Sequence, residues 1–202
     1  MSQPAGEINS ARVWFAVLPA VLLGFLVMLM IVGWFLIYVI KEDSRFAHAL
    51  ARVIPYPAAA VDGQYIFYAE WAGITRAFLS LAEKGQVSIT GAVSRHDIAD
   101  NVMNVLIRDK ILFSLARERG ITVSDAEVTE EYGRAVSNSQ DRQTLAVLLR
   151  GLGWSERQVK EQIVRPYVVG RRLAERLGSV ALAEKAIAEA RAGARIKIFV
   201  RY

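Results

Sequence analysis

The sequence predicts a mainly α protein: one N-terminal transmembrane helix, then an α-helical domain carrying a small β-hairpin and a C-terminal strand. Three observations predict it. The first is a run without a charged side chain, VWFAVLPAVLLGFLVMLMIVGWFLIYVI, from Val13 to Ile40. The second is a series of helix-capping sequences, each opening an apolar stripe of helical period. The third is a β signal at either end of the part beyond the apolar run: Asp62-Gly63 between β-prone residues, and the alternating tail Arg195–Tyr202. The organisation that follows has four parts: residues 1–12 form a short tail, 13–40 a transmembrane signal anchor, 41–57 a Pro-containing spacer and 58–202 the helical domain.

As a helix rising about 1.5 Å per residue, the apolar run reaches about 40 Å, against a hydrocarbon core of about 30 Å. Trp14 and Phe15 near one end, and Trp34, Phe35 and Tyr38 near the other, stand where interfacial aromatics gather. A cleaved signal peptide would have an apolar stretch of only about 7–15 residues before a small-residue cleavage site. Here Ile40 is followed by Lys41-Glu42-Asp43-Ser44-Arg45, so the segment reads as an uncleaved anchor rather than a leader or a core helix. Its flanking charges do not orient it. Arg12 lies on one side and Lys41, Arg45 and Arg52 on the other, and the positive-inside bias is weak for large translocated domains. Those three cations suit contact with anionic headgroups.

Of the charged residues only Glu7 and Arg12 precede residue 41, so the net charge of +5 belongs to the tethered part. Both signs are interspersed there, without the dense basic stripe of a nucleic-acid binder, and no nucleic-acid partner is expected. The chain has no cysteine, which excludes disulfides and thiolate metal sites.

The spacer ends in Ile54-Pro55-Tyr56-Pro57, whose prolines favour extended backbone. Asp62-Gly63, between Val61 and Tyr65-Ile66-Phe67, predicts a type I′ hairpin turn, which needs positive φ at both central residues. A helix follows from about Ala69 to Lys84, with Trp71, Ile74, Phe78 and Leu81 at three- and four-residue steps and Gly85 as its stop. Ser94 with Asp97 caps a long helix striped by Ile98, Val102, Val105, Leu106, Leu112 and Leu115 and ended by Gly120. Ser124 and Glu127 make a capping box, with Val123 and Val128 as its hydrophobic staple. Beyond the polar break at 137–140, Leu145–Leu152 reads as a short helix. Ser155 and Gln158 form another capping box, with Trp154 and Val159 as the staple. The helix they open runs to Leu177, with a kink expected at Pro166 and a stop at Gly178. Ser179 caps a last helix to Ala192. The tail then alternates as a strand that pairs with the 60–67 hairpin or ends as an edge.

These residues resemble a known family. Val61-Asp62-Gly63-x-x-Ile66-x-x-x-Glu70 is similar to the V-(N/D)-G-x-x-I-x-x-x-(E/D) hairpin-to-helix segment of SurA-type folding chaperones. Leu106 to Leu112, then Ala116 to Val128 (ARERGITVSDAEV), resemble the family's central segment. Gly153-Trp154-Ser155-Glu156-Arg157-Gln158 resembles the start of its G-x-S-x-(E/Q) helix. The resemblance spans roughly residues 58–178, and it implies an α-helical SurA-N-like module outside the cytoplasmic membrane that holds unfolded or newly translocated polypeptide. The family often joins this module to a parvulin prolyl-isomerase domain whose site includes histidines. Here only 25 residues follow Leu177, and the two histidines, His48 and His96, stand beside the anchor and at a helix cap. Isomerase activity is therefore not carried over; the alternative readings are a peptidyl-prolyl cis-trans isomerase or a degenerate remnant of one, and an anchored scaffold that docks one dedicated partner.

No H-E-x-x-H, P-loop, G-x-G-x-x-G or G-x-S-x-G pattern is present. Catalytic residues, a metal and a cofactor are not expected. His96-Asp97 reads as a cap rather than an acid–base pair, because adjacent helical residues point apart. Glu127, Glu130 and Glu131 read as a solvated face. The candidate peptide-binding residues are Trp71, Phe78, Phe113, Trp154 and Tyr167. Their simpler reading is core packing; the functional one is that some line an apolar groove for extended or amphipathic peptide. Arg165, Arg171, Arg172 and Arg176 would then add attraction for acidic segments. The expected partners are unfolded or secreted polypeptides, and membrane lipid through residues 13–40.

Overall fold

The structure is a computed structural model and describes residues 24, 27–40, 54–83, 94–137, 142, 146, 149 and 153–200. The chain divides into two compact units, Met1–Ile54 and Pro55–Tyr202. In the first, residues 27–34 are helical and continue into a π-helical stretch, Phe35–Ile40. Met28, Ile31, Trp34 and Phe35 are exposed there, and the Trp34 and Tyr38 rings lie 5.9 Å apart. Among the described residues no helix is long and apolar enough to cross a membrane. Of the span expected over 13–40, residues 13–23, 25 and 26 fall outside the described residues, as do Lys41, Arg45, His48, Arg52, the stop at Gly85 and most of the helix expected over Leu145–Leu152.

The second unit is mainly helical, with a small antiparallel sheet. Strand β1 (Pro57–Val61) and strand β2 (Gln64–Phe67) form the hairpin. Asp62 and Gly63 take φ of 47° and 85°, the two positive values that a type I′ turn requires. Asp62 is the only non-glycine residue with positive φ among the described residues, a conformation that a short polar side chain tolerates. Helix α1 (Tyr68–Glu83) starts directly from β2, and Tyr68 N donates to Tyr56 O at 2.8 Å to fix the corner.

Helix α2 (Arg95–Glu118) is the centre of the unit and touches α1, the hairpin and both C-terminal helices. Its capping box is complete: Ser94 Oγ accepts from Asp97 N (3.1 Å), and Asp97 Oδ2 accepts from Ser94 N (2.9 Å). Helix α3 (Asp125–Ser137) opens in the same way through Ser124 and Glu127. Ser155 and Gln158 do so for α4 (Glu156–Val159). Both staples are in place, since Val123 and Trp154 pack on a core of Val128, Val159, Val164 and Val168.

Helix α4 continues through a π turn, Lys160–Val164, into α5 (Arg165–Leu177). The sequence predicts a kink at Pro166. In the structure the chain widens one turn earlier, where Arg165 N donates to Lys160 O, five residues back. The cause is Pro166 itself. It has no N–H for the Gln162 carbonyl and its ring crowds that carbonyl, so the preceding turn opens to make room.

Gly178 (φ 92°) ends α5 in the left-handed region, and Ser179 caps α6 (Val180–Gly193). Strand β3 (Ile196–Ile198) completes the sheet in the order β2-β1-β3, with Ala59 opposite Ile198 and Val61 opposite Ile196. It is shorter than the eight-residue strand expected, because its ladder with β1 reaches only from Ala59 to Val61. The observed fold is thus mainly α with one three-stranded antiparallel sheet.

Candidate functional site

Helices place apolar side chains on a face by period alone, and α1 and α2 together provide more apolar face than the core covers. Ile74 and Phe78 on α1, and Val102 and Val105 on α2, line a cleft of about 390 Å³. Val105 is 56% exposed and Phe78 37%, although the sequence puts both on stripes that otherwise fill the core. The cleft's remaining wall comes from Trp154 and from the π turn, which supplies Gln162 and Ile163. The widened turn therefore contributes directly to the site, as π turns often do at functional positions. Ile163 is 37% exposed. The volume lies in the range of about 300–1,000 Å³ typical of ligand clefts.

The five candidate aromatics separate. Phe78 and Trp154 line the cleft; Trp154 also backs onto the valine core of α3 to α5. Trp71 is buried, and its Nε1 donates to the Ala99 carbonyl at 3.0 Å, so it ties α1 to α2. Phe113 is half-buried on α2 and outside the cleft lining. Tyr167 is exposed, with the Arg171 guanidinium 5.8 Å from its ring centroid, and is also outside the lining.

The four arginines are not part of the cleft lining either. Arg165 donates to the Val123 carbonyl (3.2 Å), to Glu161 (2.8 Å) and to Asp125. Arg171 donates to Glu131 and Arg172 to Glu127, each at 2.7 Å. Their partners on α3 are the acids that the sequence suggests are a solvated face; these arginines instead clamp α5 to α3. Hydrogen bonds from the Ser124 backbone, from Arg172 and from the Ser124 hydroxyl hold the Glu127 carboxyl down to about 2. His96 approaches Asp100, one turn along, at 3.3 Å.

Sequence reasoning missed Asp109, which lines the cleft from α2. Burial pushes its carboxyl up to about 6; Arg108 and Lys110 oppose the rise and Glu70 adds to it. Its signal was present: 109 continues the stripe 98, 102, 105 by helical steps, so a carboxylate stands where the pattern calls for an apolar residue. Gln162 Nε2 donates to Glu70 Oε1 at 3.4 Å beside it.

A family model for the SurA-like N-terminal domain matches residues 11–171. The chain belongs to that family. The match includes every residue that lines the cleft and ends within α5, before α6 and β3. As a SurA-like N-terminal domain, the chain has a chaperone-like, folding-associated role, with polypeptide clients as the coarse class of partner. A comparison with curated proteins gives no match.

Proposed function

We propose that this SurA-like chain is a membrane-anchored, ATP-independent holdase that binds unfolded polypeptide in the cleft between α1, α2 and the π turn. The observation that carries the reading is the exposure of Phe78, Val105 and Ile163 around one concave apolar surface. Reversible burial of a client's apolar segments there lowers the free concentration of aggregation-prone chains by mass action.

Light scattering of an aggregating client tests this, with the full chain in zwitterionic lipid nanodiscs and empty nanodiscs as the blank. Near-stoichiometric suppression is expected. Val105→Glu places a charge at an exposed position, so its melting temperature should match the parent's, within about 0.5 kcal/mol of stability, while its suppression is lost. A parent without suppression would sink the holdase, and an undiminished Val105→Glu would move the client site elsewhere.

The anchor is the charge-free run Val13–Ile40. Its described part supports the reading, because residues 27–40 are helical with large apolar side chains exposed. The domain's placement outside the cytoplasm follows from the chaperone reading. Protease added to intact cells should remove a C-terminal tag on the chain; a tag protected until the cells are lysed would contradict that placement.

A further inference from the structure

The cleft carries one charge, and its sign is opposite to that of the chain. Every residue lining it is apolar or neutral except Asp109, on a chain of net charge +5. Among the described residues, no hydrogen bond or ion pair reaches the Asp109 carboxylate. The neighbouring cation on α2, Arg108, is held by Glu184 at 2.5 Å, and Lys110 lines a different pocket, beside the hairpin turn. Behind Asp109 a second carboxylate, Glu70, takes only the weak Gln162 contact among hydrogen bonds of the described residues.

An ionised carboxylate set in an apolar wall loses solvation, and it recovers stabilisation only when a cation arrives. A lysine or arginine can supply that cation without disturbing the wall, because its long aliphatic stem lies along apolar surface while the head reaches the acid. We propose that the cleft selects client segments in which a lysine or arginine sits within an apolar stretch. The basic head pairs with Asp109 while the flanking apolar side chains cover Phe78 and Val105. This rests on the cleft being the client site and adds to it a chemical preference. Acidic segments are disfavoured by the same carboxylate, which gives discrimination by repulsion as well as attraction.

Three fluorescent peptides test it. They share one short apolar sequence and differ only at the central residue, which is lysine, norleucine or glutamate. Binding is read by anisotropy, using the full chain in zwitterionic nanodiscs at neutral pH and physiological salt. The lysine peptide should bind about ten-fold tighter than its norleucine twin, equivalent to about 1.4 kcal/mol, with the glutamate peptide weakest. Asp109→Asn, checked for an unchanged circular dichroism spectrum, should bind the lysine and norleucine peptides alike, and Asp109→Glu should retain a preference for lysine. Equal affinity of the parent for lysine and norleucine peptides overturns the selectivity and leaves the holdase standing. A lysine preference that survives Asp109→Asn overturns it too, by placing charge recognition elsewhere. Failure of the parent to bind any of the three removes both readings. Sedimentation supplies the remaining arm: a dimer of the parent that Val105→Lys dissociates would give the cleft to a second copy and overturn the proposal.

Discussion

Trp71→Ala should cost the domain about 3–5 kcal/mol, the range for deleting a large buried aromatic. That is a large share of the roughly 5–15 kcal/mol that holds a typical domain folded. The indole is 3% exposed and lies edge-on to Tyr68, with ring centroids 5.7 Å apart. Its loss leaves a cavity at the junction of β2, α1 and α2 and removes the bond to the Ala99 carbonyl. Trp71→Phe refills much of that volume and forfeits the bond, so about 1–2 kcal/mol is expected. Urea denaturation followed by circular dichroism measures both. An alanine variant with parental stability that fails only to bind clients would return Trp71 to the binding surface and refute its place in the core.

Asp109→Asn should have the opposite sign. The folded carboxyl titrates near 6, against an ordinary value of 3.8, so the folded state holds its proton more tightly than the unfolded chain does. Such a group contributes fully below the unfolded value and loses that contribution as pH rises through the folded one. At neutral pH the wild-type domain therefore carries the penalty of an ionised acid in an apolar wall. Full conversion at 1.36 kcal/mol per unit gives about 3 kcal/mol. Partial contact with solvent reduces this to about 1–2 kcal/mol. The asparagine variant should be more stable by that amount above neutral pH, with the gain vanishing towards pH 4. Paired urea titrations across this range decide the matter; a gain independent of pH would show that the carboxyl's burial is not its source. A residue that weakens the fold at working pH, in a cleft, is the pattern expected of a site rather than of a scaffold.

Those features of the fold that depend on neighbours three residues apart were legible in the sequence. Ser94 with Asp97, Ser124 with Glu127 and Ser155 with Gln158 each close their reciprocal bonds within one turn, so no distant element is needed to infer them. The Asp62-Gly63 turn is equally local. The cleft was not legible, because spacing fixes which face a side chain shares and not what covers that face. Trp71 and Phe78 are two helical turns apart on α1, yet one meets Ala99 and the other meets open space. The π turn shows an intermediate case. Pro166 announces a disturbance, but a proline's missing N–H and its ring's crowding of the carbonyl four residues back can be accommodated by a bend or by a widened turn, and the sequence does not distinguish the two. The arginines of α5 are legible as charges and illegible as clamps, since their acids lie some forty residues earlier on α3.

The sheet has a consequence for how the domain comes into being. Strand β1 is nearly the first piece of the unit to be synthesised, and its partner β3 nearly the last, yet Ala59 pairs with Ile198. Until the last strand arrives, β1 has a single partner in β2, and one of its edges stays open through the whole synthesis of the helices between. Closing so long a loop is slow relative to forming helices and the hairpin. The helices can thus assemble around α2 while the nascent chain is still being made, and only the arrival of Ile196–Ile198 completes the sheet. An emerging chain of this protein thus passes through a stage with an uncovered strand edge beside unfinished packing.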